Sequence, residues 1–276
     1  MVERGIDQLE AMFARVRDRG RAAFLPYMTA GLPDLSSSAD LFVAMADAGA
    51  DGFEVGIPYA DPLMDGPVVQ AAGARALASG VDVDRALAVV EQVASRTGKP
   101  TIVMTYVNPV LRHGIDAFVT RLADVGASGL IVADLPADEA EPFLHAAASV
   151  GIGMVLFAAP TTTDARLARI AAARPAFVYG IAELGVTGER QAVSSRAAGL
   201  ARRVRETIDV PLVLGVGITT PADVAAAARV ADGVIVGSAL VRRVLDAPDP
   251  VAAVRTVREA VAELAAATEV PDRPEH

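Results

Sequence analysis

The stretch PTIVMTYVNPVLRHGIDAFVTRLADVGASGLIVAD, from Pro100 to Asp134, contains the unit from which the fold is predicted. It begins with the apolar run Pro100–Tyr106, continues through an amphipathic segment over Ile115–Val125, and ends with the apolar run Ser128–Asp134. A strand that is apolar along its whole length is typical of a parallel sheet covered by helices. The stretch therefore predicts two parallel strands joined by a helix.

The same unit repeats along nearly the whole chain, with helical segments such as Ser37–Ala48, Asp82–Ser95 and Ala192–Thr207 between the strands. Eight such units in 276 residues are typical of an α/β chain folded as a (β/α)8 TIM barrel. A doubly wound sheet would more often have about five or six strands and a GxGxxG turn after the first, and the first turn here, MTAGLPDLSSS, lacks that pattern. The predicted strands are Ala22–Met28, Gly52–Gly56, Pro100–Tyr106, Ser128–Asp134, Gly153–Ala159, Ala176–Ala182, Pro211–Gly217 and Asp232–Ser238.

We predict a single domain over residues 1–276, with a core from about residue 7 to 268 and a frayed C-terminal tail over about 268–276. An additional N-terminal helix over about Ile6–Arg19 is expected to plug or flank the bottom of the barrel. In such barrels the functional residues lie on the loops that follow the strands.

The composition excludes several classes of function. A formal net charge of −9 argues against nucleic acid or an anionic membrane as the main partner. No apolar run reaches the roughly 18 residues of a membrane span, and the N-terminus lacks the apolar core of a signal peptide, so a cytoplasmic location is expected. The absence of cysteine excludes disulfides and thiol catalysis.

Two glycine-bearing turns, LGVGITT (Leu214–Thr220) and VGSALV (Val236–Val241), follow the seventh and eighth predicted strands. A short helix beginning near Ser238 would direct its positive end at an anion there. Either turn alone is explained as a tight turn, but two adjacent turns at this place favour a phosphorylated substrate. A third turn, ELGVTGERQ (Glu183–Gln191), suits a mobile lid, and its Gly188 would add a backbone N–H to the phosphate site.

Two common chemistries of such barrels are excluded by scarce residues. The single lysine, Lys99, precedes the third strand and so belongs to the end opposite the active loops, which leaves no Schiff-base lysine. The three histidines, His113, His145 and His276, are too scattered in the sequence to form a metal site.

Four carboxylates remain at the ends of strands. Turn formation explains Asp61 and Asp134, because aspartate readily bonds backbone amides in turns. It explains Glu54 poorly, since glutamate is no turn former and Glu54 lies between apolar residues, where burial would raise its pKa. Glu54 and Asp65 can transfer protons without a cofactor if the substrate provides the electron sink.

The segment FEVGIPYADPLMDGPVVQ (Phe53–Gln70) resembles the hallmark segment of the tryptophan synthase α subunit family. The segments LPYMTAGLPD, MTYVNPV, VADLP, ELGVTG and VGSALV match that family in order and spacing, over about residues 7–268. The resemblance implies a TIM-barrel lyase that cleaves indole-3-glycerol phosphate to indole and glyceraldehyde 3-phosphate. It implies no metal and no cofactor.

The resemblance also implies residue roles. Glu54 would shuttle protons between indole C3 and the C3′ hydroxyl, and Asp65 would accept a hydrogen bond from the indole N–H. Tyr179 would contact the indole ring, although core packing explains it too, and Thr187 would bond Asp65 when the lid closes. Phosphate would bind at Gly188, Gly217, Gly237 and Ser238.

Six positions match the apolar indole pocket, and core filling explains them equally well: Tyr27, Met104, Ile131, Ala133, Phe157 and Val216. Three residues depart from the family pattern. Val216 stands where an aromatic residue is frequent, Tyr27 where phenylalanine is common, and Leu32 where an acidic residue is frequent. We expect these changes to loosen contacts to the indole or to alter partner contacts.

The family works as an αββα complex in which indole passes to a pyridoxal-phosphate β subunit. Pro58, Asp61 and Pro62 are candidate partner contacts, although the prolines also suit a rigid turn. No lysine is placed for pyridoxal phosphate, so that cofactor would belong to the partner. Two alternatives stay open: a stand-alone lyase that releases free indole, and a catalytically silent phosphate-binding barrel that activates a partner.

Overall fold

The computed structural model of the chain describes residues 4–181 and 190–270, with the backbone alone for 190–196. These residues form eight strands, twelve α-helices and one turn of 3-10 helix. The strands are β1 (Ala23–Thr29), β2 (Phe53–Gly56), β3 (Thr101–Thr105), β4 (Gly129–Val132), β5 (Gly153–Ala158), β6 (Phe177–Gly180), β7 (Leu212–Leu214) and β8 (Gly233–Val236). The helices are α1 (Gly5–Asp18), α2 (Ser38–Asp47), α3 (Pro67–Ala78), α4 (Val83–Thr97), α5 (Val107–His113), α6 (Ile115–Asp124), α7 (Glu141–Val150), α8 (Asp164–Ala173), α9 (Arg190–Thr207), α10 (Pro221–Ala228), α11 (Ser238–Asp246) and α12 (Pro250–Ala266).

The eight strands form a closed barrel in which each strand pairs in parallel with its neighbours in sequence, and β8 pairs with β1. This arrangement confirms the predicted (β/α)8 barrel. Every predicted strand is present, but most are shorter than the apolar run that predicted them. The largest difference is β7, which ends at Leu214 rather than Gly217 because the glycines that follow leave the ladder, and Gly217 has a left-handed φ of +75°.

Helix α1 closes the bottom of the barrel, as predicted. Its Leu9 is fully buried and fills space that two bottom glycines leave open. A Cβ atom on Gly153 would lie 3.0 Å from the Leu9 Cδ1 atom, and one on Gly129 would lie 3.2 Å from it. The small residues at the start of β4 and β5 therefore make room for the apolar face of α1.

The C-terminal segment is packed against the barrel further than its sequence predicted. Thr268, where the frayed tail was expected to begin, is fully buried, and its carbonyl accepts a 3.2 Å hydrogen bond from the Ala22 N–H. Glu269 forms an isolated antiparallel bridge with Arg21. These bonds hold the chain through Val270, and residues 271–276 lie outside the described residues. None of the helices described is both long and apolar enough to cross a membrane.

Candidate active site

A cavity of about 460 Å³ opens at the carboxyl ends of the strands. Tyr27 and Glu54 are register partners on β1 and β2, and Phe157 and Tyr179 are partners on β5 and β6, so the barrel brings four distant segments to one cavity. Twelve residues predicted for the site line it: Tyr27, Glu54, Asp65, Met104, Ile131, Ala133, Phe157, Tyr179, Val216, Gly217, Gly237 and Ser238. Thr187 and Gly188 lie outside the described residues.

Glu54 differs from the other buried carboxylate of the described chain. Asp51 accepts two hydrogen bonds of 2.6 Å from the Arg21 guanidinium and one of 2.9 Å from the Phe24 N–H. Glu54 is only 3% exposed, and within the described residues its Oε2 atom has no hydrogen-bond partner. Burial, with a further contribution from the nearby Asp65 charge, raises the pKa of Glu54 to about 8. Glu54 therefore holds a proton at neutral pH, inside the cavity.

This shift predicts a pH-dependent effect of Glu54→Gln on stability. The pKa rises from 4.5 in the unfolded chain to about 8 in the folded one, so the folded state keeps a proton that the unfolded state releases. The stability that Glu54 contributes is complete below about pH 4.5 and is lost as the pH rises through about 8. Glutamine does not titrate. In urea denaturation, the free energy of unfolding of Glu54→Gln minus that of wild type should therefore increase by about 2–4 kcal/mol when the pH is raised from about 5 to about 8.5. A difference in the free energy of unfolding that is the same at both pH values would contradict the raised pKa of Glu54.

Asp65 lies in the loop between β2 and α3, and hydrogen bonds to this loop position it. The Asp65 N–H donates to the Pro62 carbonyl at 3.1 Å, and the Gln70 amide donates to the Asp65 carbonyl at 2.9 Å. The Asp65 side chain is partly buried. Burial raises its pKa, and the Tyr106 hydroxyl opposes that rise by favouring the charged form.

Tyr106 is the residue beside the carboxylate pair that sequence reasoning missed. Its hydroxyl accepts a 3.2 Å hydrogen bond from the Met64 N–H, so it also holds the loop that carries Asp65. Its ring is buried and stacks on Tyr59 with a centroid separation of 5.1 Å, and the Tyr59 hydroxyl accepts a bond from the Asn108 amide. The predicted third strand ends at Tyr106. Because this strand lies next to the strand of Glu54, an aromatic residue at its end was a signal that could have identified Tyr106.

Two tyrosines form the wall of the cavity, and each needs a glycine opposite its ring. Tyr179 is buried and stacks on Phe157 with a centroid separation of 5.2 Å. A Cβ atom on Gly215 would lie 2.1 Å from the Tyr179 hydroxyl oxygen, and one on Gly56 would lie 2.3 Å from the Tyr27 hydroxyl oxygen. Burial raises the pKa of Tyr179, so its phenol stays neutral.

The Gly215→Ala substitution should therefore destabilise the protein by about 1–3 kcal/mol, because the buried Tyr179 ring has to move to admit the methyl group. Gly199→Ala is the matched control. Gly199 lies in α9, and nothing beyond the backbone of its own helix comes within 4 Å of the place that a methyl group would occupy. Alanine there should be neutral or stabilising by up to about 1 kcal/mol. Chemical denaturation of both variants tests this, and equal stability of the two would show that the Tyr179 wall is not tightly packed.

The opposite end of the cavity is suited to an anion. Gly217 in the loop after β7 and Gly237 and Ser238 after β8 line it. Helix α11 begins at Ser238, and no side chain of the described residues caps its N-terminus. A free helix N-terminus next to glycine backbone is the arrangement that binds phosphate in many proteins. None of the described residues that line this end is negatively charged.

Other sequence-selected residues lie outside the cavity. Asp61 is exposed and Pro62 is half-buried, whereas Pro58 is buried in the isolated chain, so Asp61 and Pro62 are the more accessible residues of this loop. The Asp134 carboxylate accepts a 2.7 Å hydrogen bond from the Val107 N–H at the start of α5, which agrees with its expected turn role. Leu32, in the first loop, is fully buried.

Several apolar residues of the cavity were not predicted: Met64, Val68, Val69, Ile181, Ile218 and Ile235. Strand alternation was a usable signal for Ile235, which lies in β8 two residues before Gly237. Val68 and Val69 begin α3, immediately after the loop of Asp65. The cavity thus combines a buried carboxyl group with a raised pKa, a second carboxylate, an aromatic and aliphatic slot, and a glycine-lined end suited to an anion.

Comparisons with known proteins find related sequences and a related solved structure. Residues 13–269 match the sequence family described as tryptophan synthase alpha chain. The chain is 46% identical to the tryptophan synthase alpha chain of Thermobifida fusca and 42% identical to that of Streptomyces coelicolor, each over 94% of this chain and 96% of the relative. It also resembles the solved structure of Mycobacterium tuberculosis tryptophan synthase, with a TM-score of 0.86 and 40% identity over 95% of this chain and 98% of the other.

Proposed function

The chain belongs to the tryptophan synthase alpha chain family, the lyases of tryptophan biosynthesis that cleave indole-3-glycerol phosphate, and we propose that Glu54 and Asp65 carry out that cleavage here. The products are indole and glyceraldehyde 3-phosphate. The observation that carries the assignment is the buried carboxyl group of Glu54, whose Oε2 atom has no hydrogen-bond partner among the described residues and whose pKa is raised to about 8, in the same cavity as Asp65.

The reaction begins with proton transfer from the Glu54 carboxylic acid to indole C3, which converts the indole ring to an indolenine. The Glu54 carboxylate then removes the proton of the C3′ hydroxyl, and that C–O bond becomes the aldehyde C=O. The bond between indole C3 and C3′ breaks, and its electron pair restores the aromatic indole. Glu54 ends with its proton, so the cycle needs no other acid or base.

Asp65 acts at the other side of the indole ring. Protonation at C3 places positive charge on the ring nitrogen, and the Asp65 carboxylate accepts a hydrogen bond from that N–H. A negative charge placed where positive charge develops lowers the barrier because the surroundings are largely apolar. The stacked pair Tyr179 and Phe157 offers the flat surface against which an indole ring packs.

The phosphate group binds at Gly217, Gly237 and Ser238, where the N-terminus of α11 meets the cavity. Gly188 is a further candidate contact of the phosphate and Thr187 a candidate hydrogen-bond partner of Asp65; both lie outside the described residues. Tyr27, Met104, Ile131, Ala133 and Val216 complete the indole pocket. Holding both ends of the substrate places C3 at Glu54 in a reactive orientation.

The partner of this chain is a tryptophan synthase β subunit, in an αββα assembly, and the cell compartment is the cytoplasm. Support for a partner surface comes from the loop of Asp61 and Pro62, where Leu63 is 79% and Met64 58% exposed. Large apolar side chains side by side on a surface are typical of protein contacts. The proton transfers need no metal or organic cofactor in this chain, and pyridoxal phosphate belongs to the β subunit.

The proposal is tested by mixing the purified protein with indole-3-glycerol phosphate, with and without its cognate β subunit, and following indole fluorescence. The chain contains no tryptophan, so it adds no indole fluorescence of its own to that of substrate and product. Indole release that the β subunit accelerates is the expected result. Release that the β subunit does not change would favour a stand-alone lyase, and binding without release in both mixtures would favour the silent barrel.

A further inference from the structure

A second cavity, of about 400 Å³, lies at the opposite end of the barrel, below the start of β1, β2 and β3. Arg15 and Arg19 reach it from the end of α1, Arg21 from the residue pair before β1, and Lys99 from the segment before β3. Asp51 is the one carboxylate among the described residues that line it. Four cations and one anion therefore surround this space, in a chain whose net charge is −9.

The carboxylate is already engaged. Asp51 accepts both bonds of the Arg21 guanidinium at 2.6 Å and also the Phe24 N–H, so it ties the start of β1 to the start of β2. No hydrogen bond or ion pair within 4 Å engages the side chains of Arg15, Arg19 or Lys99 in the described part of the chain. Three cations thus face the cavity without a direct partner there.

Crowding of like charges is unfavourable in the unliganded protein. Arg15 lies in the last turn of α1 and Arg19, four residues later, is the C-cap residue of that helix, a spacing at which like charges repel. Burial lowers the pKa of the half-buried Lys99, and the charges of Arg15 and Arg21 lower it further, whereas those of Asp51 and Asp47 oppose the shift. Such a cluster is stabilised if an anion joins the cations.

We propose that this cavity binds a small anion whose phosphate groups carry two or more negative charges. The volume of about 400 Å³ accommodates a compact metabolite. The site is separate from the catalytic cavity, which lies at the carboxyl ends of the strands, so both ligands bind at the same time. Gly98, which also lines it, has a left-handed φ of +60° and leaves the rim free of a side chain.

The experiment is a calorimetric titration with pyrophosphate in magnesium-free buffer of low salt. Wild type is compared with the double variant Arg15→Gln/Lys99→Gln. Arg17→Gln is the control for the loss of a nearby surface charge, because Arg17 lies on the helix of Arg15, is exposed and does not line the cavity. We expect the double variant to bind pyrophosphate at least about fivefold more weakly, and Arg17→Gln to change binding by less than about twofold. Equal affinity in all three proteins, or equal weakening by Arg17→Gln, would overturn the proposal.

Repeating the titration in a second variant, Ser238→Asp, distinguishes this site from the phosphate site of the catalytic cavity. Ser238→Asp adds a carboxylate that repels anions at the start of α11, and the effect of the double variant should persist in it. Loss of all pyrophosphate binding in Ser238→Asp alone would place the anion at the catalytic face and overturn the proposal.

Thermal unfolding gives an independent readout. Without anion, the double variant should melt at or above the wild-type temperature because repulsion is removed, and pyrophosphate should raise the Tm of wild type more than that of the double variant. A lower Tm of the unliganded double variant would show that the cations serve the fold and would overturn the proposal.

Discussion

Replacing Glu54 with glutamine should lower kcat for indole release by on the order of 10³-fold, with little change in KM. The amide has nearly the shape of the carboxyl group but can neither protonate indole C3 nor accept the proton of the C3′ hydroxyl. Because no described residue hydrogen-bonds the Glu54 Oε2 atom, the substitution breaks no known contact there. The loss therefore reports the proton transfers rather than a disturbed cavity.

Fluorescence assays of indole release measure kcat and KM. Titration of the substrate into the slowly reacting variant measures substrate binding separately. Asp61→Asn is the control, since it neutralises an exposed carboxylate of the loop that also carries Asp65. Measured without the β subunit, which Asp61 is proposed to contact, this variant should keep kcat within about twofold of wild type. A Glu54→Gln protein that retained a tenth of the wild-type kcat would exclude Glu54 as the proton shuttle.

Asp65→Asn should lower kcat by on the order of 10²-fold, because the positive charge that develops on the indole nitrogen loses its negative partner. It should also change the pH profile. The Asp65 charge contributes to the raised pKa of Glu54, so its removal lowers that pKa from its value of about 8.

The sign of this second effect follows from the role of Glu54. Glu54 has to be protonated to begin the reaction, so kcat/KM falls as the pH rises through its pKa. In Asp65→Asn this basic limb should move to lower pH, whereas in the Asp61→Asn control it should stay in place. A limb that does not move in Asp65→Asn, measured from about pH 6 to about pH 9.5, would show that the two carboxylates are not electrostatically coupled.

The barrel itself was predictable from the chain because its signal is local. Each strand is a short run of apolar residues, and each run is followed by a segment with helical periodicity, so every unit is visible within about 30 residues. The ends of strands were less predictable. The run Pro211–Gly217 reads as one strand, yet only Leu212–Leu214 pairs, because the glycines after Leu214 leave the ladder and Gly217 has a left-handed φ.

The candidate site was predictable in part. Glu54 stood out because a glutamate among apolar residues at the end of a strand has no turn-forming explanation, and the glycines after β7 and β8 stood out by position. Tyr106 did not stand out, because its importance rests on a contact with the loop of Asp65. That contact is made to Met64, which lies 42 residues before Tyr106 in the chain. The assignment of individual roles came from the resemblance to a family rather than from the residue pattern.

The sequence by itself therefore determined the number and order of the strands, the end of the barrel at which chemistry occurs, and the carboxylates available for it. Only the tertiary structure decided that Glu54 is buried without a partner for its Oε2 atom among the described residues, whereas Asp51, just before it in the chain, is paired with Arg21. It also decided that Arg15, Arg19 and Lys99 meet around one cavity. The physical reason is that periodicity depends on neighbours along the chain, whereas desolvation and charge interactions depend on groups that come together only when the barrel closes.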